Sequence, residues 1–233
     1  MTVALITGAS AGLGLALADA LADRGWTLVI DARGSGALER ARRELSARTE
    51  VVAIAGDVTD PAHRTALVAT AGRLGRLDLL VNNASHLGPS PQPRLERYPL
   101  SELSRVYEVD VFAPLALTQL ALPWLATSGG VVVNVSSDAA VEPYPGWGGY
   151  GSAKAALDQI TAVFGAENPD LGVYAFDPGD MRTEMHQRAF PDEDISDRPE
   201  PATIVPAFLH LIDARPPSGR YRASDVLSSP VAS

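Results

Sequence analysis

The first 14 residues constrain this chain more than any other stretch. A short apolar run, residues 3–7 (VALIT), passes at once into GASAGLG. Apolar residues then recur at helical spacing at Leu13, Leu15, Leu17, Ala20 and Leu21, until Gly25. A brief apolar run bounded by turn residues is of buried-strand type, and a strand that enters a helix through a glycine turn begins a parallel α/β unit. Glycines let backbone approach a phosphate with no Cβ in the way. The helix start adds unpaired N–H groups and the positive end of a dipole. The spacing at Gly8, Gly12 and Gly14 is Gly-x-x-x-Gly-x-Gly. It is neither the common Gly-x-Gly-x-x-Gly fingerprint nor a P-loop, which needs Gly-Lys-Ser/Thr.

The same alternation continues along the chain. Strand-type runs fall at residues 3–7, 27–31, 51–55, 77–81, 131–135, 171–176 and 219–223, separated by helical stretches. That order predicts an α/β fold: a single doubly wound parallel sheet, helices on both faces, three layers and one domain over 1–233. Ligands of such sheets gather at the carboxyl ends of the strands. Ser10, Asp57, Asn83, Ser137 and Pro178 each stand just past such an end, so they converge on one edge of the sheet.

A proton-transfer unit lies in the second half. VVVNVSS brings Ser137 to the end of a strand, and YGSAK opens an apolar helix. Positions four apart share a helix face, so Tyr150 and Lys154 point the same way. A phenol titrates near pH ~10 and is a poor base at neutrality. An ammonium close by lowers that value, and Ser137 can hydrogen-bond the oxygen that gains or loses the proton.

Thr7 to Gly14 (TGASAGLG), Asn82-Asn83-Ala84, Ser137, Tyr150-x-x-x-Lys154 and Pro178-Gly179 together resemble the short-chain dehydrogenases/reductases, over nearly the whole chain. The resemblance implies a Rossmann-type fold and an oxidoreductase that moves hydride between a nicotinamide cofactor and a carbonyl or secondary alcohol. It implies that Gly8, Ser10, Gly12, Leu13 and Gly14 hold the pyrophosphate, Asp57 and Val58 the adenine, and Asn83 and Ala84 the adjoining turn. Pro178, Gly179 and Thr183 would receive the nicotinamide amide. Tyr150 would be the proton donor or acceptor, Ser137 would hold the carbonyl oxygen, and Lys154 would bind the ribose and depress the tyrosine. Residues 184–201, charged and aperiodic, correspond to a substrate lid. An enzyme of this kind and a cofactor-binding regulator that has lost turnover are both compatible with the pattern; a nucleotide-sugar epimerase needs a larger substrate domain.

Two positions depart from the family. Asp110 stands where asparagine is usual, and its carboxylate would raise Lys154 and weaken the push on Tyr150. Ser85 replaces the last glycine of the Asn-Asn-Ala turn, which alters the angles open to the backbone. For the cofactor, Ala32 fills the slot that is acidic in NAD-preferring members and Arg33 follows where a 2′-phosphate would be held, so NADP(H) is favoured over NAD(H). A one-residue slip would put Asp31 on the ribose and reverse this.

Composition limits the partners. A net charge of −9 lacks the basic footprint of nucleic-acid binding. There is no cysteine, hence no disulfide and no thiolate metal site, which fits a reducing, cytoplasmic setting. His63 and His210 read as surface or packing residues, and His86 and His186 as candidates for the substrate pocket; no metal is expected. The apolar run 111–126 is shorter than a bilayer needs and is broken by Pro114, Gln119 and Pro123, so it reads as a buried or interface helix. A homodimer or homotetramer is the expected assembly, with a small carbonyl or alcohol compound as substrate.

Overall fold

The computed structural model describes residues 2–228; Met1 and 229–233, which the expected domain includes, lie outside them. Seven strands form one sheet: β1 (Val3–Ile6), β2 (Thr27–Ala32), β3 (Val51–Ala55), β4 (Leu79–Asn82), β5 (Val131–Val135), β6 (Gly172–Asp177) and β7 (Gly219–Arg222). The spatial order is β3-β2-β1-β4-β5-β6-β7 and every pairing is parallel. All seven strand expectations hold to within two residues. The order reverses between β1 and β4, where a crevice opens at the carboxyl ends.

Alternation within the strands assigns the two faces. Ala4, Ile6, Leu28 and Ile30 meet Leu17 and Leu21 of α1 (Gly12–Asp23), Leu38 and Leu45 of α2 (Ser35–Leu45), and Phe208 and Leu211 of α8. Here α8 spans Val205–Ala214. Val3, Leu5, Val29 and Val132 meet Leu67 of α3 (Pro61–Arg73) and Leu117, Ala121 and Leu125 of α5 (Ala113–Ser128). Residues i and i+2 share a face of a strand, so one apolar run feeds two cores. Each fully buried Leu or Ile contributes about 1.5–3 kcal/mol of transfer free energy. The remaining helices are α4 (Leu100–Tyr107), α6 (Gly148–Glu167), α7 (Glu184–Ala189) and α9 (Ala223–Ser228).

Contrary to the sequence reading, the prolines do not break the apolar stretch. Helix runs from Leu100 to Ser128. Pro114 directly follows the widened turn at Glu108–Phe112, and Pro123 is taken inside the helix. By length and composition this segment could cross a membrane, yet half of it is buried against the protein. Between α4 and α5, Glu108–Phe112 forms a widened π-type turn that swings Asp110 inward, fully buried. Asn82 of β4 donates to Asn134 of β5 (2.7 Å), and Asn134 to Thr161 of α6 (2.8 Å), a polar seam in the sheet's centre.

Candidate active site

At the end of β1 the glycine turn is pinned from β4. The Thr7 hydroxyl accepts from the backbone N–H groups of Asn83 and Ala84 (2.9 and 3.0 Å). The Asn83 amide donates to the Thr7 and Gly8 carbonyls (2.9 and 3.1 Å). Gly8 and Gly12 have φ of +67° and +56°, which side-chain-bearing residues rarely adopt. A Cβ on Gly14 would stand 2.4 Å from Asn83 Nδ2 and 2.5 Å from the Gly8 oxygen, so only glycine lets the helix approach the turn. The N-cap of α1 is Ala11, and no side chain takes up the helix's first N–H groups. They remain available to an anion.

This turn is one wall of a cavity of about 470 Å³. Gly8, Ser10, Gly12, Leu13, Arg33, Asp57, Val58, Asn83, Ala84, Ser137, Tyr150, Lys154, Pro178, Gly179 and Thr183 all line it. Gly14 lies behind the turn, and Asp110 lies behind Lys154. Of the histidines, His86 and His186 line the cavity and His210 is exposed. His63 is buried: its Nε2 lies 3.0 Å from Asp31. Residues 184–201 contribute Glu184, Met185, His186, Arg188 and Ala189 to the rim. Among the described residues there is no cluster of groups able to hold a metal ion.

Asp31 stands at the cavity wall, but its carboxylate is taken up by neighbouring groups. It is 1% exposed, accepts from the Gly8 N–H (2.9 Å) and pairs with His63. Burial pushes its pKa up, against the pull of His63 and Gly8. Arg33, two residues on, is exposed at the cavity.

The reacting end is built on α6. Lys154 Nζ donates to the Val135 carbonyl (2.9 Å), lies 3.4 Å from Asp110 Oδ1 and stands 5.4 Å from the Tyr150 ring centre. Tyr150 is 8% exposed. Lys154 does pull the phenol's pKa down, but burial is the largest influence, and with the Asp110 carboxylate it outweighs the lysine, leaving the pKa above its ordinary value. Lys154 is itself raised. Burial opposes its charge, but Tyr150 and Asp110 oppose burial and prevail. Asp110 is raised too, chiefly by burial. At neutral pH the tyrosine is therefore a protonated acid beside an ammonium.

Ser137 is not bonded to Tyr150. Its hydroxyl donates to Asp138 (3.0 Å) and accepts from the Ala139 N–H (3.2 Å). Two contacts were not legible in the sequence. Ser85, which has no positive φ and so needs no glycine, donates to Asp110 Oδ1 at 2.5 Å. Arg220 of β7 donates to Asp158 of α6 (2.9 Å), to Asp177 at the end of β6 (2.8 Å) and to the Ser137 carbonyl (2.9 Å). Ser85 ends the Asn-Asn-Ala turn and Arg220 sits in no motif; in both cases only the tertiary structure supplies the partners.

Residues 2–194 match the short chain dehydrogenase family. The chain belongs to that family. It is 34% identical to the sepiapterin reductase of Mus musculus over 201 residues, 80% of this chain and 77% of that protein. It is 34% identical to a benzil reductase ((S)-benzoin forming) of Saccharomyces cerevisiae over 194 residues, 79% of this chain and 73% of that one. Its fold superposes on an alcohol dehydrogenase from the archaeon Thermococcus sibiricus complexed with 5-hydroxy-NADP, with a TM-score of 0.86, 29% identity and 95% of each chain covered. The chain is thus an oxidoreductase of the short-chain dehydrogenase family that uses a nicotinamide cofactor and a small-molecule substrate. The residues present fit that cofactor: an uncapped helix start, a glycine turn held tightly against Asn83 and Ala84 where a Cβ has no room, and an ammonium beside a phenol at the far end.

Proposed function

We propose that this dehydrogenase is an NADPH-dependent carbonyl reductase, able to run in reverse on secondary alcohols. Its relatives' names, reductases of sepiapterin and of benzil, support a ketone as substrate. The observation that carries the cofactor preference is the engagement of Asp31. Both oxygens of the Asp31 carboxylate are already engaged, one by Gly8 N–H and one by His63, which leaves it a poorer ribose acceptor, while the exposed Arg33 at the cavity matches a 2′-phosphate.

Gly8, Ser10, Gly12, Leu13 and Gly14 form the pyrophosphate cradle at the start of α1. Asp57 and Val58 flank the adenine, and Asn83 and Ala84 fix the turn beneath it. Pro178, Gly179 and Thr183 meet the nicotinamide amide. The bound dinucleotide supplies or accepts hydride at the substrate carbon. Tyr150 gives its proton to the carbonyl oxygen in reduction and takes one from the alcohol in oxidation. Ser137 leaves Asp138 to hold that oxygen, Lys154 holds the ribose, and Asp110 sets the charge around both. Residues 184–201 close over the substrate, and the apolar outer face of α4, α5 and α6 pairs two chains. A cytoplasmic setting suits a chain without cysteine.

The test is to mix purified protein with NADPH or NADH and a panel of ketones that includes benzil, and follow nucleotide absorbance. NADPH consumption well above that of NADH is the expected result. No consumption with any ketone, and no reduction of NADP with any secondary alcohol, would remove this reading.

A further inference from the structure

β7 is the outermost strand of the sheet, at the opposite edge from β3, yet Arg220 reaches the back of the reacting end. Its planar guanidinium makes three ties. Nε donates to Asp158 Oδ2 (2.9 Å), and Nη2 donates to the Ser137 carbonyl (2.9 Å) and to Asp177 Oδ2 (2.8 Å). Each partner belongs to a different piece of the site. Asp158 follows Lys154 by four residues on α6, as Lys154 follows Tyr150, so one helix face carries all three. Asp177 is 1% exposed, and its other oxygen accepts from the Gly179 N–H (3.0 Å), which fixes the start of the Pro178-Gly179 loop. Lys154 takes the Val135 carbonyl, two residues before Ser137. Two cations thus grip the segment that carries the serine.

We propose that Arg220 is a positioning residue that holds Ser137 and the Pro178-Gly179 loop in register with Tyr150 and Lys154. It does not line the cavity, so it acts through these partners. Without it, the segment after β5, the loop after β6 and helix α6 lose their common anchor. Each must then be ordered separately when a ligand binds, which weakens binding and spreads the reacting geometry.

A guanidinium suits the task because its donors lie in one plane at fixed angles, so the accepting oxygens must come to them. Charge is balanced locally. Asp158 and Asp177 face Arg220, and Arg222, on the same face of the strand, stands 3.3 Å from Asp177. Arg222 meets Asp177 but is bonded to neither Ser137 nor Asp158, so it does not duplicate the device. The adenine end is built elsewhere: Arg33, Asp57 and Val58 follow β2 and β3, on the far side of the sheet from β7. The influence of Arg220 should therefore fall on one half of the cavity.

This inference rests on the proposed reductase, so its first measurement needs no turnover. Fluorescence titration compares NADPH with adenosine 2′,5′-bisphosphate, which lacks the nicotinamide half, at a temperature where circular dichroism shows each variant folded. Arg220→Ala should weaken NADPH by about tenfold and leave the bisphosphate within about twofold, because only the nicotinamide end is loosened. NADH and ADP make the same comparison if the protein takes the unphosphorylated nucleotide. Arg222→Ala, which leaves Ser137 and Asp158 tied, should keep both affinities. Where turnover is measured, Arg220→Ala should lower kcat by roughly 10²-fold, the scale of a small misplacement at the reacting atoms. Asp158→Ala, which frees α6 but leaves both loops held, should lower kcat with the NADPH affinity unchanged. Should Arg220→Ala not fold, Arg220→Gln carries the comparison. Equal weakening of NADPH and the bisphosphate, or unaltered affinity for both, would overturn the proposal, as would an unaltered kcat. Absence of any ketone turnover in the parent protein would instead count against the reductase reading, with the binding comparison still decisive for Arg220.

Discussion

Tyr150 and Arg33 carry the sharpest expectations at the scale of single residues. Tyr150→Phe should keep folding and nucleotide binding and lower turnover by roughly 10² or more, the usual loss for a positioned general acid. Comparing circular dichroism, nucleotide Kd and kcat checks all three together. The pH profile has a defined sign. The raised phenol stays protonated beyond its ordinary range, so reduction should persist there and fade only as pH climbs through that raised value. Oxidation should gain over the same window. Arg33→Ala should weaken NADPH by about tenfold or more and NADH far less, because a charge-assisted hydrogen bond to phosphate exists only in the first case. Equal losses measured by fluorescence titration would shift the preference elsewhere. Motif residues such as Tyr150 were legible because their chemistry is local. The sign of the tyrosine's pKa was not: helical spacing reveals the lysine, and the family pattern the Asp110 carboxylate, but neither tells how deeply the three are buried.

At the scale of elements, the strands were legible because a sheet covered on both faces demands near-continuous apolar runs, and VALI, TLVIDA and VVVNV meet that demand. The π-type turn at Glu108–Phe112 was not, since an extra residue in a helical turn leaves no mark on apolar periodicity. The continuity of α4 into α5 was also hidden, because proline inside a helix reads in sequence like a break. Arg220 shows a third kind of blindness. GRYR is a polar edge strand, yet its first arginine ties β5, β6 and α6 together behind Ser137. Arg220→Ala should cost about 2–3 kcal/mol, below the 3–5 typical of a broken buried pair because Arg222 still reaches Asp177 at 3.3 Å. That corresponds to a fall in Tm of about 5–10 °C. Calorimetry measures it, and a Tm within 1–2 °C (roughly 0.5 kcal/mol) of the parent would mean that the staple is dispensable.

For the whole molecule, the outward face of the long helical segment is the unsatisfied feature. Leu100, Phe112, Leu120 and Trp124 are 76, 58, 42 and 37% exposed, and Val163 of α6 adds to the outer apolar surface at 45%. Exposed apolar surface of this extent on two helices points to pairing of like chains across a two-fold axis. Light scattering at micromolar concentration should give a dimer or tetramer mass, and Phe112→Glu combined with Trp124→Glu should shift it toward one chain. A single-chain mass for the parent protein would exclude the pairing.

The engagement of Asp31 bears on redesign. A designer seeking NADH preference would reach first for this acid, since it ends β2 and is within one residue of the ribose slot. It is the wrong lever. Its carboxylate braces the phosphate turn through Gly8 and anchors α3 through His63, so Asp31→Asn should weaken both nucleotides alike, leaving their ratio unchanged in paired Kd measurements. The adjustable pair is Ala32 and Arg33: a new acid at the first and loss of the base at the second leave the brace intact. Selectivity and scaffold occupy adjacent residues here, and only one of the two is free to evolve.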